Sequence, residues 1–118
     1  MVGAFDGNNL VGMTGFYMEK QTKLRHKGHI WGVFVARSAR GAGVGRGMMM
    51  AVIQSARKLA GVRCILLTVV STNTAARGLY ESLGFRSFGT EPRSLWVDDR
   101  YFDEDHMRLE LVEGVEAI

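Results

Sequence analysis

The run Cys64-Ile65-Leu66-Leu67-Thr68-Val69-Val70 is an almost unbroken block of β-forming apolar residues, and it constrains the fold more than any other stretch. A strand with one wet face alternates polar and apolar residues, whereas so continuous a block reads as a central strand covered on both faces. Upstream, Val44, Met48, Val52, Ser55, Ala56 and Leu59 recur at three- and four-residue steps, which predicts a helix with one buried face. Arg46, Gln54, Arg57 and Lys58 occupy much of the rest of that helix, and Gly61 supplies its stop. Residues 30–35 read as a further strand before it. A strand, a helix of roughly four turns and a second strand imply a right-handed crossover, so the two strands are expected to be parallel.

The flanking segments extend this unit. Residues 2–5 and 10–18 read as two strands joined by the turn Asp6-Gly7-Asn8-Asn9. Residues 19–27 are polar and basic, as suits a solvated loop. Ser71-Thr72-Asn73 offers capping side chains for a second helix with apolar positions Ala76, Leu79, Tyr80 and Leu83, closed by Gly84. Residues 85–89 and 107–112 are the last strand candidates, joined by an acidic segment containing aromatics that reads as a surface loop. The expected class is α/β, a mixed central sheet flanked by helices.

Composition narrows the choices further. The chain has 118 residues, 47% hydrophobic and 23% charged, which predicts one globular domain over residues 1–118 and argues against a disordered tail. No apolar run approaches the ~20 residues needed to cross a bilayer, so no membrane partner is expected. The opening residues lack a basic stretch followed by an apolar block, and a cytoplasmic location is expected. Cys64 is the sole cysteine, which leaves neither an internal disulfide nor a cysteine zinc site, and no metal is expected. The net charge of +3 suits a phosphate-bearing ligand as well as a nucleic acid. Lys20, Lys23, Arg25 and Lys27 form a basic run, yet no recognition helix or aromatic interleaving accompanies it, so nucleic acid is not the expected partner.

The segment carrying chemistry is Arg40-Gly41-Ala42-Gly43-Val44-Gly45, between a predicted strand and a predicted helix. Glycines let the backbone approach a ligand closely, and the amides of a first helical turn point outward without intrahelical partners. A phosphate there gains several N–H hydrogen bonds and the positive end of the helix dipole. A P-loop needs Gly-Lys-Ser/Thr at its end, but the chain has Gly45-Arg46-Gly47. A dinucleotide fingerprint needs G-x-G-x-x-G and an acid about 20 residues on; the spacing here is different and Arg63-Cys64 stands where the acid would be.

What remains is the pattern Arg/Gln-x-x-Gly-x-Gly/Ala, filled by Arg40, Gly43 and Gly45. In it the chain resembles the GNAT superfamily of acyl-CoA-dependent N-acetyltransferases. Asn73, Ala76, Leu79-Tyr80 and Leu83-Gly84-Phe85 reproduce that family's N-x-x-A-x-x-L-Y-x-x-L-G-F helix at the expected distance after a buried strand. The resemblance covers residues 10–111.

The resemblance implies acetyl-CoA as cosubstrate, a primary amine as acceptor, and direct attack in a ternary complex. It places the pyrophosphate against the backbone of Gly41, Ala42, Gly43, Val44 and Gly45, with Arg40 shaping or charging the loop. It sets the pantetheine arm along Val33, Phe34 and Val35, where a backbone N–H near Val35 would stabilise the oxyanion of the thioester carbonyl. Asn73 would hold the same arm. Tyr80 falls where the family has its general acid, a phenol of pKa ~10 that protonates the departing thiolate. The residue eleven before Arg40, where some members carry a glutamate base, is His29, a plausible base near neutral pH.

Other residues read as structure. Cys64 lies in the apolar strand with no histidine nearby in sequence, which suits an inert core thiol better than an acyl-cysteine route. Met48-Met49-Met50 fans over a helix and reads as packing. The family fold ordinarily begins with a strand and two helices before the hairpin that opens this chain. A shortened fold is therefore expected: a fragment, a truncated gene product, or a chain whose missing wall another chain supplies. An uncovered sheet edge and apolar strip favour a homodimer. The rival to an enzyme is a non-enzymatic acyl-CoA-binding module or degenerate subunit of the same fold.

Overall fold

A computed structural model describes residues 2–37, 40, 41 and 43–111. Eight elements follow in order: β1 (Val2–Asp6), β2 (Asn9–Met18), β3 (Lys27–Val35), α1 (Val44–Arg57), β4 (Cys64–Val70), α2 (Thr74–Ser82), β5 (Arg86–Val97) and β6 (Arg100–Glu110). The strands form one six-stranded sheet in the order β1-β2-β3-β4-β6-β5. β3 and β4 are parallel, as the crossover requires, and every other neighbouring pair is antiparallel. The class expected from the sequence, a mixed sheet with helices, is the class observed.

Both helices pack on one face of the sheet. Met49, Val52 and Ile53 of α1 and Tyr80 of α2 form a single core with Ile65, Leu67 and Val69 of β4 and with Met107 and Leu109 of β6. The buried face of α1 includes Met49 and Ile53, whereas Ser55 and Leu59, expected inside, are exposed. On the opposite face lie the alternating residues His29, Trp31, Leu66, Thr68, His106 and Arg108, and no helix of the described residues covers them. We call this the open face.

Three boundaries differ from expectation. β3 begins at Lys27, because residues 27–29 pair with β4, and Gly28 and His29 also with β2, before the strand reaches its apolar part. Phe85 precedes β5 and is buried in the core. The acidic segment read as a surface loop is a long β-hairpin: Asp98 and Asp99, with φ of 51° and 59°, form its two-residue turn, and Asp103, Glu104 and Asp105 lie on β6. Two adjacent left-handed residues are what such a tight hairpin turn demands. The expected last strand ran to Val112, which lies outside the described residues.

Asp105 is the buried exception in this acidic run. It accepts hydrogen bonds from the hydroxyls of Ser71 at 2.7 Å and Thr90 at 2.8 Å. Arg77 Nε stands 3.1 Å from its other oxygen, an ion pair without hydrogen-bond alignment. These contacts tie the entry of α2 to β5 and β6. They hold the Asp105 carboxyl below its ordinary range, the Ser71 bond contributing most.

Candidate active site

The site arises where β3 and β4 separate. Only Lys27, Gly28 and His29 pair with Cys64, Ile65 and Leu66. Beyond them β3 turns away, and a bulge marks the bend: Met13 opposes Phe34 and Gly15 opposes Trp31, leaving Thr14 against both Gly32 and Val33. Gly32 has φ +62°, which suits a residue without a β-carbon. The Thr14 hydroxyl donates to the Trp31 carbonyl at 3.2 Å and fixes the distortion from the core side. No reading of the sequence noted this bulge; a lone glycine inside the strand was its signal.

Three cavities meet at the parting. The largest, about 640 Å³, lies at the amino-terminal end of α1 and shares Val33, Asn73 and Ala76 with a middle cavity of about 280 Å³. The middle one shares Ile30, Trp31, Leu67 and Thr68 with a third, of about 300 Å³, on the open face. The three cavities thus adjoin through shared walls, from the glycine loop, along the parting of β3 and β4, to the open face.

The first cavity gathers the residues expected to bind a cofactor: Val33, Phe34, Val35, Arg40, Gly41, Gly43, Val44, Gly45 and Asn73 all line it. Ala42 lies outside the described residues. Gly41 and Gly43 have φ of 83° and 79°, and a β-carbon at either would meet no atom within 4 Å, so open space stands above the loop. The helical bonding of α1 starts with Gly47 N–H to the Gly43 carbonyl at 3.0 Å. The amides of Val44, Gly45 and Arg46 therefore have no intrahelical acceptor. Arg40 donates from Nε to the Val35 carbonyl at 3.3 Å, tying the loop to the end of β3, and Arg46 donates to the Ser82 hydroxyl at 2.8 Å, linking the two helices. Two guanidinium groups, a row of amides and no carboxylate among the lining residues make this a cradle for an anion. The pyrophosphate of an acyl-CoA fits that donor set.

Asn73 caps α2, its side-chain oxygen accepting from Ala76 N–H at 3.2 Å. The cap fixes the side chain at the border between the first and middle cavities while its amide hydrogens stay uncommitted to the cap.

Tyr80 lines the middle cavity, 5% exposed, its ring edge-on to Phe85 with centroids 6.1 Å apart. Burial pushes its phenol above the ordinary value, which keeps the proton on oxygen at neutral pH. Cys64 is fully buried, and burial likewise pushes its thiol up. A thiol so held is a poor nucleophile, in keeping with a core role.

His29 lines the third cavity rather than the one holding Tyr80. Its Nε2 is 2.9 Å from Glu19 Oε1 and its ring stacks on Tyr17, centroids 4.7 Å apart and planes 10° from parallel. Neither partner was foreseen, because Glu19 lies in the segment read as a solvated loop. His106 of β6 joins His29 in the same cavity. Its signal was the alternation of Glu104, His106 and Arg108 with buried Asp105, Met107 and Leu109, hidden because the strand was expected to start only at residue 107.

A mixed six-stranded sheet split between its two parallel strands, with a glycine loop opening the crossover helix, is a GNAT-like fold. The Acetyltransferase (GNAT) family matches residues 1–85, and the chain belongs to it. No curated protein sequence matches the chain. Among solved structures it is similar to a GNAT-family acetyltransferase from Streptococcus pneumoniae, 23% identical with a TM-score of 0.86, over 92% of this chain and 64% of that one. It is similar also to the ribosomal-protein-alanine N-acetyltransferase of Brucella melitensis, 27% identical with a TM-score of 0.82, over 92% of this chain and 66% of that one. A third is the yncA protein of Salmonella typhimurium, in a structure with its cofactor acetyl-CoA, 24% identical with a TM-score of 0.85, over 98% of this chain and 66% of that one. The chain thus spans about two thirds of the length of these proteins.

Proposed function

We propose that the protein is an N-acetyltransferase that moves acetyl from acetyl-CoA to a primary amine by direct attack in a ternary complex. The observation that carries this reading is the path of adjoining cavities along the parting of β3 and β4, with an anion cradle at one end, Tyr80 at its middle and an imidazole-lined cavity at the other. Such a path lets two substrates enter from opposite faces and meet where β3 and β4 part, so that orientation alone supplies much of the acceleration.

Each residue then has a task. The amides of Gly43, Val44 and Gly45, with Arg40 and Arg46, hold the pyrophosphate. The edge of β3 at Val33, Phe34 and Val35, left unpaired by the divergence from β4, offers backbone donors and acceptors to a peptide-like arm, with Asn73 facing it across the cavity. Bound acetyl-CoA supplies an acetyl group activated as a thioester. Tyr80 gives its proton to the leaving sulfur, and its burial keeps that proton available. His29, held by Glu19, takes the proton released by the amine.

Turnover of acetyl-CoA against a panel of primary amines, read as free thiol and confirmed by product mass, tests the proposal. Acetylated amine is the expected product. CoA bound with no acceptor acetylated would favour an acyl-CoA-binding module of the same fold. The reading also includes a cytoplasmic, self-associating protein: the overhanging tip of the β5–β6 hairpin exposes Trp96 and Tyr101, their rings tilted 59° to each other with centroids 4.6 Å apart, as an apolar patch that a second copy would cover. Light scattering at micromolar concentration measures that directly.

A further inference from the structure

The open-face cavity carries more information than its place opposite the cofactor cradle. Its walls come from five strands: Tyr17 of β2 and His29 of β3 on one side, Thr68 of β4 at the floor, Phe88 of β5 and His106 of β6 on the other. Two imidazoles face a common space of about 300 Å³, and each has a glutamate at its outer nitrogen. His29 Nε2 is 2.9 Å from Glu19, and His106 Nε2 is 3.6 Å from Glu91. The two pairs differ in freedom. His29 is hydrogen-bonded at the nitrogen and stacked on Tyr17, so its ring is fixed. His106 is only loosely paired, and Phe88 lies beside it with centroids 6.1 Å apart.

The rim has a definite charge. Glu104 shares the face of His106 by the two-residue period of β6, and Glu91 stands opposite Glu104 across the β5–β6 pair. Arg108, the next residue on that face, is engaged by Glu110. Glu19 and Glu91 stand behind the two imidazoles and Glu104 lines the adjoining middle cavity, a carboxylate rim that favours a cation. Part of the wall is flat and apolar: Trp31 and Phe88, which are 50% and 63% exposed, large values for aromatic residues, line it. The volume sits at the lower end of the range for small-molecule sites.

Resting on the acetyltransferase reading above, we infer that this cavity is the acceptor site for a small primary amine carried on an apolar, flat body, with His106 as the residue that receives a hydrogen bond from its nitrogen. The ring of the acceptor lies against Trp31 and Phe88, where its burial and its stacking both favour binding. The ammonium is drawn in by the carboxylate rim. Glu91 lies 3.6 Å away on the Nε2 side of His106, so Nδ1 is the ring nitrogen assigned to the amine. A polycation lacks the flat body, and a folded protein substrate presents an amine on a bulk that a cavity of this size does not enclose.

Steady-state kinetics with phenethylamine and spermidine, beside calorimetry with CoA, test the inference. Phenethylamine is expected to exceed spermidine in kcat/KM by about tenfold or more, the scale set by burying a ring-sized apolar group. H106L should raise KM for phenethylamine about tenfold and leave KM for acetyl-CoA unchanged, and H106Q, which keeps an acceptor oxygen, should recover most of the loss. F88A, at an exposed position that does not endanger folding, should raise the same KM. Equal use of the two amines, or an unchanged phenethylamine KM in H106L and F88A, overturns the inference and leaves the acetyltransferase reading standing. If CoA binds but no amine is acetylated, the His106 ring-proton resonance decides: a shift on adding phenethylamine upholds the site and overturns the enzymatic reading, and no shift overturns the site. If CoA does not bind, the cofactor cradle is overturned and the same resonance judges the cavity alone.

Discussion

The indole of Trp31 lies directly across the α-carbon of Gly15, its cross-strand partner, so closely that a β-carbon at Gly15 would collide with the ring. A mirror arrangement occurs on the core face, where Phe16 covers Gly28. Each glycine makes room for an aromatic ring to lie flat on the sheet, and the Gly15–Trp31 pair sets the floor on which the open-face cavity stands. Gly15→Ala is therefore expected to lower stability by ~1–3 kcal/mol, the usual range for overpacking. Urea unfolding followed by tryptophan fluorescence reads it. In Gly15→Ala combined with Trp31→Ala the loss from the glycine change should largely vanish; additive losses would show that the pair does not interact.

At the glycine loop, Gly43 adopts φ 79° immediately before α1. Gly43→Val forces a β-branched residue into that conformation and places methyl groups where the anion would sit. CoA affinity is expected to fall about 10- to 100-fold, equivalent to ~1–3 kcal/mol from one or two charge-assisted bonds. Calorimetry on a variant shown by circular dichroism to be folded gives the answer, and unchanged affinity would move the phosphate site elsewhere.

Tyr80→Phe removes a proton donor and little apolar area. Turnover should drop by ~10²-fold with CoA binding retained, a typical contribution for a positioned acid. The pH dependence follows from the same burial. A phenol whose folded pKa is raised contributes stability that is fully present below its unfolded value of ~10 and is lost as pH rises through the folded value. Alkaline unfolding should therefore begin later in Tyr80→Phe than in the parent, as followed by circular dichroism between pH 9 and 12 by order of magnitude. Coincident alkaline transitions would show that the phenol ionises as freely in the fold as outside it.

Asp105 gives the opposite sign. Its folded pKa is depressed, first by the Ser71 hydroxyl, then by the Thr90 hydroxyl, with Arg77 adding to the effect. The stability it contributes is present above the unfolded carboxyl value of ~3.9 and is lost as pH falls through the lower folded value. Asp105→Asn should melt at a lower temperature than the parent at pH 7, and the gap should narrow as the pH approaches 3, as measured by thermal scans across that range. A gap that stays constant would assign the loss to the hydrogen bonds alone.

The glycine loop, the parallel crossover and the capped second helix were legible in the sequence because each depends on local chemistry: left-handed glycines, a continuous apolar strand, Asn73 before an amphipathic turn. Tertiary pairing was not legible in the same way. The segment 90–106 looked like an acidic loop because its charges outnumber its apolar residues, yet antiparallel pairing makes it two strands joined at Asp98-Asp99 and buries Asp105 among hydroxyls. That misreading concealed His106, and the same kind of distance in sequence concealed Glu19 as the partner of His29. Residues at a site are brought together by register, and register is a property of the sheet rather than of any single strand.

Since only three residue pairs join β3 to β4, the sheet is in effect two panels, β1-β2-β3 and β4-β6-β5, hinged along a short seam and braced by α1. A peptide-like arm lying in the open part of that seam would supply the hydrogen bonds that a continuous sheet has and this one lacks. Under the proposed function, ligand and scaffold are then not separable: the molecule carries an unfinished joint, and the acyl donor would be the piece that closes it. Backbone amides of Ile30 to Val35 and of Leu67 to Val70 should exchange with solvent as independent groups when the protein is alone and slow down together when CoA is added, so that occupancy is felt on both panels at once.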